Sequence, residues 1–272
     1  MKFILPIREQ NSNKGTFGKV LNVAGSKNYI GAAYLSSLAV LKSGAGYVAL
    51  TSNNNVIKSV SALLPEAVFL SEYKALKTVN QYDVLLIGCG LGQSFLSKYR
   101  FKKYIKQWRN FNKPVVIDAD GLNILANTDI SLPENCIITP HPGEAARLLD
   151  VQMGEVLNDS EIAAQKLTQK YNCVTVLKTH NTIVCAQNGE IYVNRHGNSA
   201  LAKAGSGDIL AGIIAGLLAQ KMSLFEASRL GVYLHSRAGE IASQELTEYS
   251  VLASELTKYL PKAINELILQ KT

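Results

Sequence analysis

A chain of 272 residues with 47% apolar and 18% charged residues has the material for a substantial core, so disordered and fibrous classes are excluded. Its net charge of +7 and pI near 9.1 favour anionic small molecules or nucleic acid over basic partners. The four cysteines, Cys89, Cys136, Cys173 and Cys185, form no CxxC pair and no metal-ligand spacing with the four histidines, and read as reduced buried thiols of a cytosolic protein.

The start, Met1-Lys2-Phe3-Ile4-Leu5-Pro6, lacks the apolar core of a signal peptide. Residues 19–25 form a short β-rich run that ends in Gly25, and residues 31–42 follow with helical spacing of small and apolar side chains. Gly44-Ala45-Gly46 stops that helix, and residues 47–50 read as the next strand. The alternation continues through apolar runs at 67–70, 83–87, 114–118 and 136–139. Continuous apolar strands of this kind are buried on both faces, which predicts a mostly parallel sheet with helices on either side.

Between two of those strands lies the densest basic run, 98–113. Its Phe101, Tyr104, Ile105 and Trp108 recur at helical spacing, so they predict one buried face and leave Lys102, Lys103, Lys106 and Arg109 as a solvated one. No recognition motif accompanies the charges, and neither a nucleic-acid nor a membrane partner is expected. Runs at 173–178, 182–186 and 190–194 come next, with Asn188-Gly189 as a hairpin signal, so the sheet is expected to turn antiparallel at its edge. Residues 209–219, 224–243 and 250–268 are the three closing helices. The first is too short to span a bilayer. No linker or internal repeat divides the chain, which predicts a single domain over 1–272.

Ligands of open α/β sheets bind beyond the carboxyl ends of the strands. There the chain places Gly88-Cys89-Gly90-Leu91-Gly92, Asp118-Ala119-Asp120-Gly121 and Thr139-Pro140-His141-Pro142-Gly143-Glu144. A fourth run, Ala204-Gly205-Ser206-Gly207-Asp208, is a glycine turn opening a helix, where free N–H groups and the helix dipole seat an anion. Asp208 at such a seat suits phosphoryl transfer to an alcohol. Its carboxylate takes the hydroxyl proton while the N–H groups of Gly205, Ser206 and Gly207 hold charge on the moving phosphate. Neither a Walker sequence nor a Gly-x-Ser-x-Gly elbow is present, so a P-loop and a Ser206 nucleophile are both disfavoured. Taken locally, Asp118 and Asp120 read as caps of a helix near Gly121, His141 as a turn residue and Lys178 as a snorkelling side chain. His196 and His235 have no evident partner.

These motifs, with Lys14-Gly15-Thr16-Phe17-Gly18, Ala24-Gly25-Ser26, Gly31-Ala32-Ala33 and Leu177-Lys178-Thr179, resemble in order those of the ADP- or ATP-dependent NAD(P)H-hydrate dehydratases. The resemblance spans nearly the whole chain and looks like the stand-alone form, without a fused epimerase domain. It implies a ribokinase-like three-layer α/β/α sandwich. The implied reaction phosphorylates the ring hydroxyl of hydrated NADH or NADPH from ADP or ATP and then expels phosphate. Asp208 would be the base. Ala33, Gly90, Gly92 and His141 would touch the hydrated dinucleotide, and Lys178, Thr179, His180, Asn181, Thr182 and Gly207 the adenine nucleotide. Glu144 would help place Mg²⁺ through water. A homo-oligomer, up to a tetramer, is implied, with the apolar helix at 224–243 as a candidate contact. Ser199, where the family usually has proline, and Lys203 depart from the common pattern, and Lys203 bears on the choice between ADP and ATP. A kinase for a vitamin-precursor or sugar alcohol on the same fold, and an inactive nucleotide-binding protein, are the competing readings.

Overall fold

The computed structural model describes residues 3–269, so Met1 and Lys2 of the N-terminal segment lie outside the described residues. In its first half, β1 (Lys19–Val23), α1 (Ile30–Lys42), β2 (Tyr47–Thr51), α2 (Asn54–Leu63), β3 (Val68–Leu70) and α3 (Glu72–Lys77) precede β4 (Val84–Ile87), α4 (Phe95–Trp108), β5 (Val115–Ile117) and α5 (Asp120–Leu125). The second half runs β6 (Cys136–Ile138), α6 (Pro142–Leu149), α7 (Met153–Asn158), α8 (Ser160–Tyr171), β7 (Val174–Leu177), β8 (Ile183–Cys185) and β9 (Ile191–Val193). It closes on α9 (Ser206–Ala219), α10 (Leu224–Ser250) and α11 (Ala253–Leu269).

The nine strands form one sheet in the order β3-β2-β1-β4-β5-β6-β7-β8-β9. β1 to β7 are parallel, whereas β8 pairs antiparallel with β7 and β9 antiparallel with β8, as the Asn188-Gly189 signal predicts. Alternate strand residues feed two cores. Val20, Val48, Leu86 and Val176 pack with α1, α2, α9, α10 and α11, and Leu21, Leu85, Ile117 and Leu177 with α3 to α8. The three-layer α/β/α sandwich expected from the alternating pattern is therefore the fold. On α4, Phe101, Tyr104, Ile105 and Trp108 are fully buried, each contributing about 1.5–3 kcal/mol, while Lys102, Lys103, Lys106 and Arg109 face solvent. All four cysteines are free and buried. No described helix is long and apolar enough to cross a membrane.

Two expectations change. The helix carrying Asp208 starts at Ser206 rather than at 209, so the carboxylate lies in its first turn. The helix expected over 224–243 continues to Ser250, with non-helical backbone at Thr247 (φ 62°, ψ 156°). Its apolar residues Leu230, Val232, Leu234 and Ala238 are buried in the chain's own core, while Leu224, Phe225 and Leu246 are only partly buried.

Strand order sets the position of the site. The chain winds outward from β1 to β3, returns to the other side of β1 as β4, and winds the opposite way, so direction reverses between β1 and β4. A crevice opens at such a reversal because the flanking loops leave on opposite faces. The loops after β1 and β4 are tied across it by Gly25 N–H donating to the Cys89 carbonyl at 2.8 Å.

Candidate active site

Gly205 closes the turn before α9 with φ 93°, a conformation that would strain any other residue. The turn sets Asp208 on the first turn of α9, against the ends of β4 and β5. One ligand atom each from Asp208, Asp118 and Cys89 lies within 4.8 Å of the others. Burial, reinforced by the Asp118 charge, pushes the Asp208 carboxyl up to about 7, while a hydrogen bond from Cys89 and the Lys178 ammonium oppose the rise.

Asp118 is 1% exposed, and its Oδ1 accepts from Lys178 Nζ at 2.7 Å and from Thr139 Oγ1 at 2.7 Å. It caps nothing. The residue at the start of α5 is Ala119, whose backbone (φ 49°, ψ −119°) makes no side-chain cap. Asp120 instead accepts from Gly92 N–H at 2.8 Å and fixes the loop after β4. Both cap readings fail because the two carboxylates are drawn to partners just beyond the ends of β4, β6 and β7. Lys178 does not snorkel either: it leaves β7 beside Asp118 and lies 4.0 Å from Glu144 Oε2. Burial opposes its charge, but the Asp118 and Glu144 carboxylates outweigh burial and hold its pKa above the ordinary lysine value.

His141 and Glu144 cap α6 reciprocally. His141 Nδ1 accepts from Gly143 N–H at 3.0 Å and Glu144 N–H at 3.3 Å, and the Glu144 carboxylate accepts from His141 N–H at 2.9 Å. Nδ1 is thereby an acceptor, so the neutral ring carries its hydrogen on Nε2. Burial and the Lys178 charge lower the His141 pKa, and burial raises that of Glu144.

Beside this cluster lies a cavity of about 680 Å³, lined by His141, Lys178, Thr179, His180 and Thr182 on one rim and by Gly197, Asn198, Lys203, Ser206 and Gly207 on the other. A Cβ built on Gly207 would meet Lys178 Nζ at 3.3 Å and Asp118 Oδ2 at 3.8 Å, so glycine keeps this approach open. Asn181 does not line the cavity; its carbonyl accepts from Thr179 Oγ1 at 2.7 Å and shapes the loop. Gly90 (φ 58°) and Gly92 (φ 77°) turn the loop after β4, Gly90 close against Tyr29 and Ala32, and neither lines that cavity. Ala33 is fully buried, with its side chain against Gly25.

Of the three turn residues assigned to the anion, Ser206 has already spent its N–H on the Lys203 carbonyl at 3.1 Å. The N–H groups of Gly205 and Gly207 meet no protein acceptor among the described residues. Two partners escaped sequence reasoning. His196 lies 3.6 Å from a Glu240 carboxylate oxygen, and His235 lies 3.0 Å from Ser206 Oγ. His235, alone in the middle of an apolar helix, and His196, in the loop after β9, gave no signal for either contact.

Comparison with known proteins follows this geometry. The family model described as NAD(P)H-hydrate dehydratase matches residues 20–262. An ADP-dependent (S)-NAD(P)H-hydrate dehydratase from Neisseria meningitidis is 38% identical over 89% of this chain and 82% of its own length. A bifunctional NAD(P)H-hydrate repair enzyme from Thermofilum pendens is 34% identical over 97% of this chain and 53% of its own, so the chain spans about half the length of that bifunctional relative. The crystal structure of the ADP/ATP-dependent NAD(P)H-hydrate dehydratase from Bacillus subtilis, co-crystallised with ATP and Mg²⁺, superposes with a TM-score of 0.87 at 31% identity, covering 97% of this chain and 94% of that one.

Proposed function

The chain belongs to the NAD(P)H-hydrate dehydratase family, and from that membership we propose that it dehydrates the S form of hydrated NADH or NADPH at the expense of ADP or ATP. The observation that carries the reading is the Asp208 carboxyl, poised near pH 7 between a glycine turn and the crevice at the β1/β4 reversal. A base works best when its pKa lies near the working pH. Asp208 takes the proton of the ring hydroxyl as its oxygen bonds to the terminal phosphorus of the nucleotide and the bond to the departing nucleotide breaks. Expulsion of phosphate, with loss of a neighbouring ring proton, then restores the dihydropyridine.

Gly205 and Gly207 direct their open N–H groups at the phosphoryl group, and Lys178 neutralises part of its charge. Lys178, Thr179, His180 and Thr182 hold the nucleotide in the cavity, with Asn181 shaping that loop from behind. Gly90, Gly92 and His141 border the hydrated ring, and Ala33 supports that border through Gly25. Three carboxyl groups, Asp118, Glu144 and Asp208, gather around the single Lys178 ammonium, and this surplus of oxygen donors fits a Mg²⁺ ion carried with the phosphates. Glu144 would reach it through water, since one oxygen is committed to His141 N–H. When bound, the ion supplies charge neutralisation to the phosphates. The free buried thiols suit a reducing compartment, and we place the reaction in the cytoplasm.

The deciding experiment incubates the protein with hydrated NADH and ADP, then with ATP, and follows the absorbance of reduced nicotinamide. Recovery of that absorbance is expected. A phosphorylated alcohol that accumulates with no recovery would assign the chain to a small-molecule kinase instead.

A further inference from the structure

Ser206 is the only member of the glycine turn with a side chain, and its main-chain N–H is already taken by Lys203. The donor it has left for the cavity it lines is the hydroxyl. His235, from the middle of α10, stands against that hydroxyl, with Nε2 3.0 Å from Ser206 Oγ and 3.0 Å from the Ser206 carbonyl oxygen. A carbonyl oxygen only accepts, so the nitrogen facing it carries a hydrogen and the ring is in its Nε2–H form. Shared between the two oxygens, this N–H makes Oγ an acceptor, and the hydroxyl hydrogen must turn away from the ring. The other tautomer would press a lone pair against the carbonyl and pull the hydroxyl hydrogen back to the imidazole.

Both residues are buried, Ser206 5% and His235 7% exposed, so neither contact is exchanged readily for water. Burial also pushes the imidazole pKa down to about 4, which keeps the ring neutral where the enzyme works. We propose that His235 is a positioning residue: it donates to the carbonyl and hydroxyl oxygens of Ser206 and so aims the Ser206 O–H into the cavity as a third donor to the phosphoryl group in transfer. The nature of that anion rests on the dehydratase reading. The serine thereby recovers, through its side chain, the donor its backbone gives to Lys203.

The test is a double-mutant cycle with His235→Leu, which removes the N–H, and Ser206→Ala, which removes the hydroxyl, alongside His235→Gln, whose amide restores a donor at similar reach. His235→Leu should lower kcat about tenfold while KM for the nucleotide stays within about twofold, and His235→Gln should recover to within about threefold of wild type. In the Ser206→Ala background, His235→Leu should cost less than about twofold. An equal loss in both backgrounds, or a glutamine variant as slow as the leucine one, overturns the proposal. A ¹⁵N imidazole spectrum of the unliganded wild type should show His235 with its hydrogen on Nε2, and the Nδ1–H form would also overturn it. Wild-type protein that restores no reduced nicotinamide sinks the dehydratase reading, whereas an additive cycle in an active wild type sinks the role of His235 alone.

Discussion

Ionising a buried carboxyl costs the fold part of its stability, and Asp208 is such a carboxyl. Its pKa rises from 3.8 unfolded to about 7 folded, so its contribution is fully present below about pH 4 and is lost as pH rises through about 7. Asp208→Asn should therefore melt with the wild type at pH 4 but above it at pH 8, by about 4 kcal/mol in thermal unfolding. The same variant should lose at least about a thousandfold in turnover while nucleotide affinity stays within about threefold in calorimetric titration. In the wild type, kcat/KM should climb with pH through about 7, and a profile flat from pH 5 to 9 would remove Asp208 from the role of base. Lys178→Met leaves Asp118 buried without its counter-ion. A loss of about 3 kcal/mol in denaturant unfolding is expected, together with nucleotide binding weakened more than about tenfold. Asp208 and Lys178 were legible as residues of motifs. Asp118 was legible in the same way, but its pairing with Lys178 was not, because a carboxylate just before a helix looks like a cap until Lys178, 60 positions away, is folded against it.

Helix α9 carries Asp208 at one end and meets α1 along its length, and two glycines set how closely. A Cβ at Gly212 would lie 2.4 Å from the Ser36 carbonyl oxygen, and one at Gly216 would lie 2.0 Å from Ser43 Oγ and 2.6 Å from the Val40 carbonyl oxygen. Helix propensity alone favours alanine over glycine by about 1 kcal/mol. Packing reverses the sign: Gly216→Ala should destabilise by about 1–3 kcal/mol and lower activity at temperatures where the protein remains folded, since tilting α9 moves Asp208. A rise in Tm for that variant would show that the two helices have room to part. The apolar run of α9 was readable as a buried helix, but its first two residues were not, because Gly205-Ser206-Gly207 reads as turn throughout. Nor did the polar stretch after Ser243 reveal that α10 continues to Ser250, since its break at Thr247 is a local backbone event with no sequence marker.

At the scale of the molecule, alternating apolar runs were enough to predict layers, and Asn188-Gly189 was enough to predict the antiparallel edge. Strand order was not legible. β1 lies between β2 and β4, and the pairing of Val20 with Val84 is decided by long-range packing that no local pattern encodes. The site inherits this limit, because its cavity joins the segment after β7 to the segment after β9. A nucleotide held there ties the antiparallel edge to α9, so saturating ADP or ATP at about 100 times Kd should stabilise the fold by about 2.7 kcal/mol. A thermal shift larger for one nucleotide than the other identifies the preferred donor, and no shift with either would place the nucleotide elsewhere. Assembly is a proposal at this scale too: a homo-oligomer, up to a tetramer, is expected in light scattering.

The hairpin at the sheet edge leaves the rim at Thr182 and returns to it at Asn194, so its turn at Asn188-Gly189 sits at the far end of the strands. Gln187 anchors that turn to the Asn172 carbonyl at 2.7 Å, beneath the start of β7. The protein thus has a handle remote from its chemistry. A reporter peptide spliced between residues 188 and 189, or new chain ends opened there, should leave catalysis untouched while labelling the edge whose return loop lines the cavity.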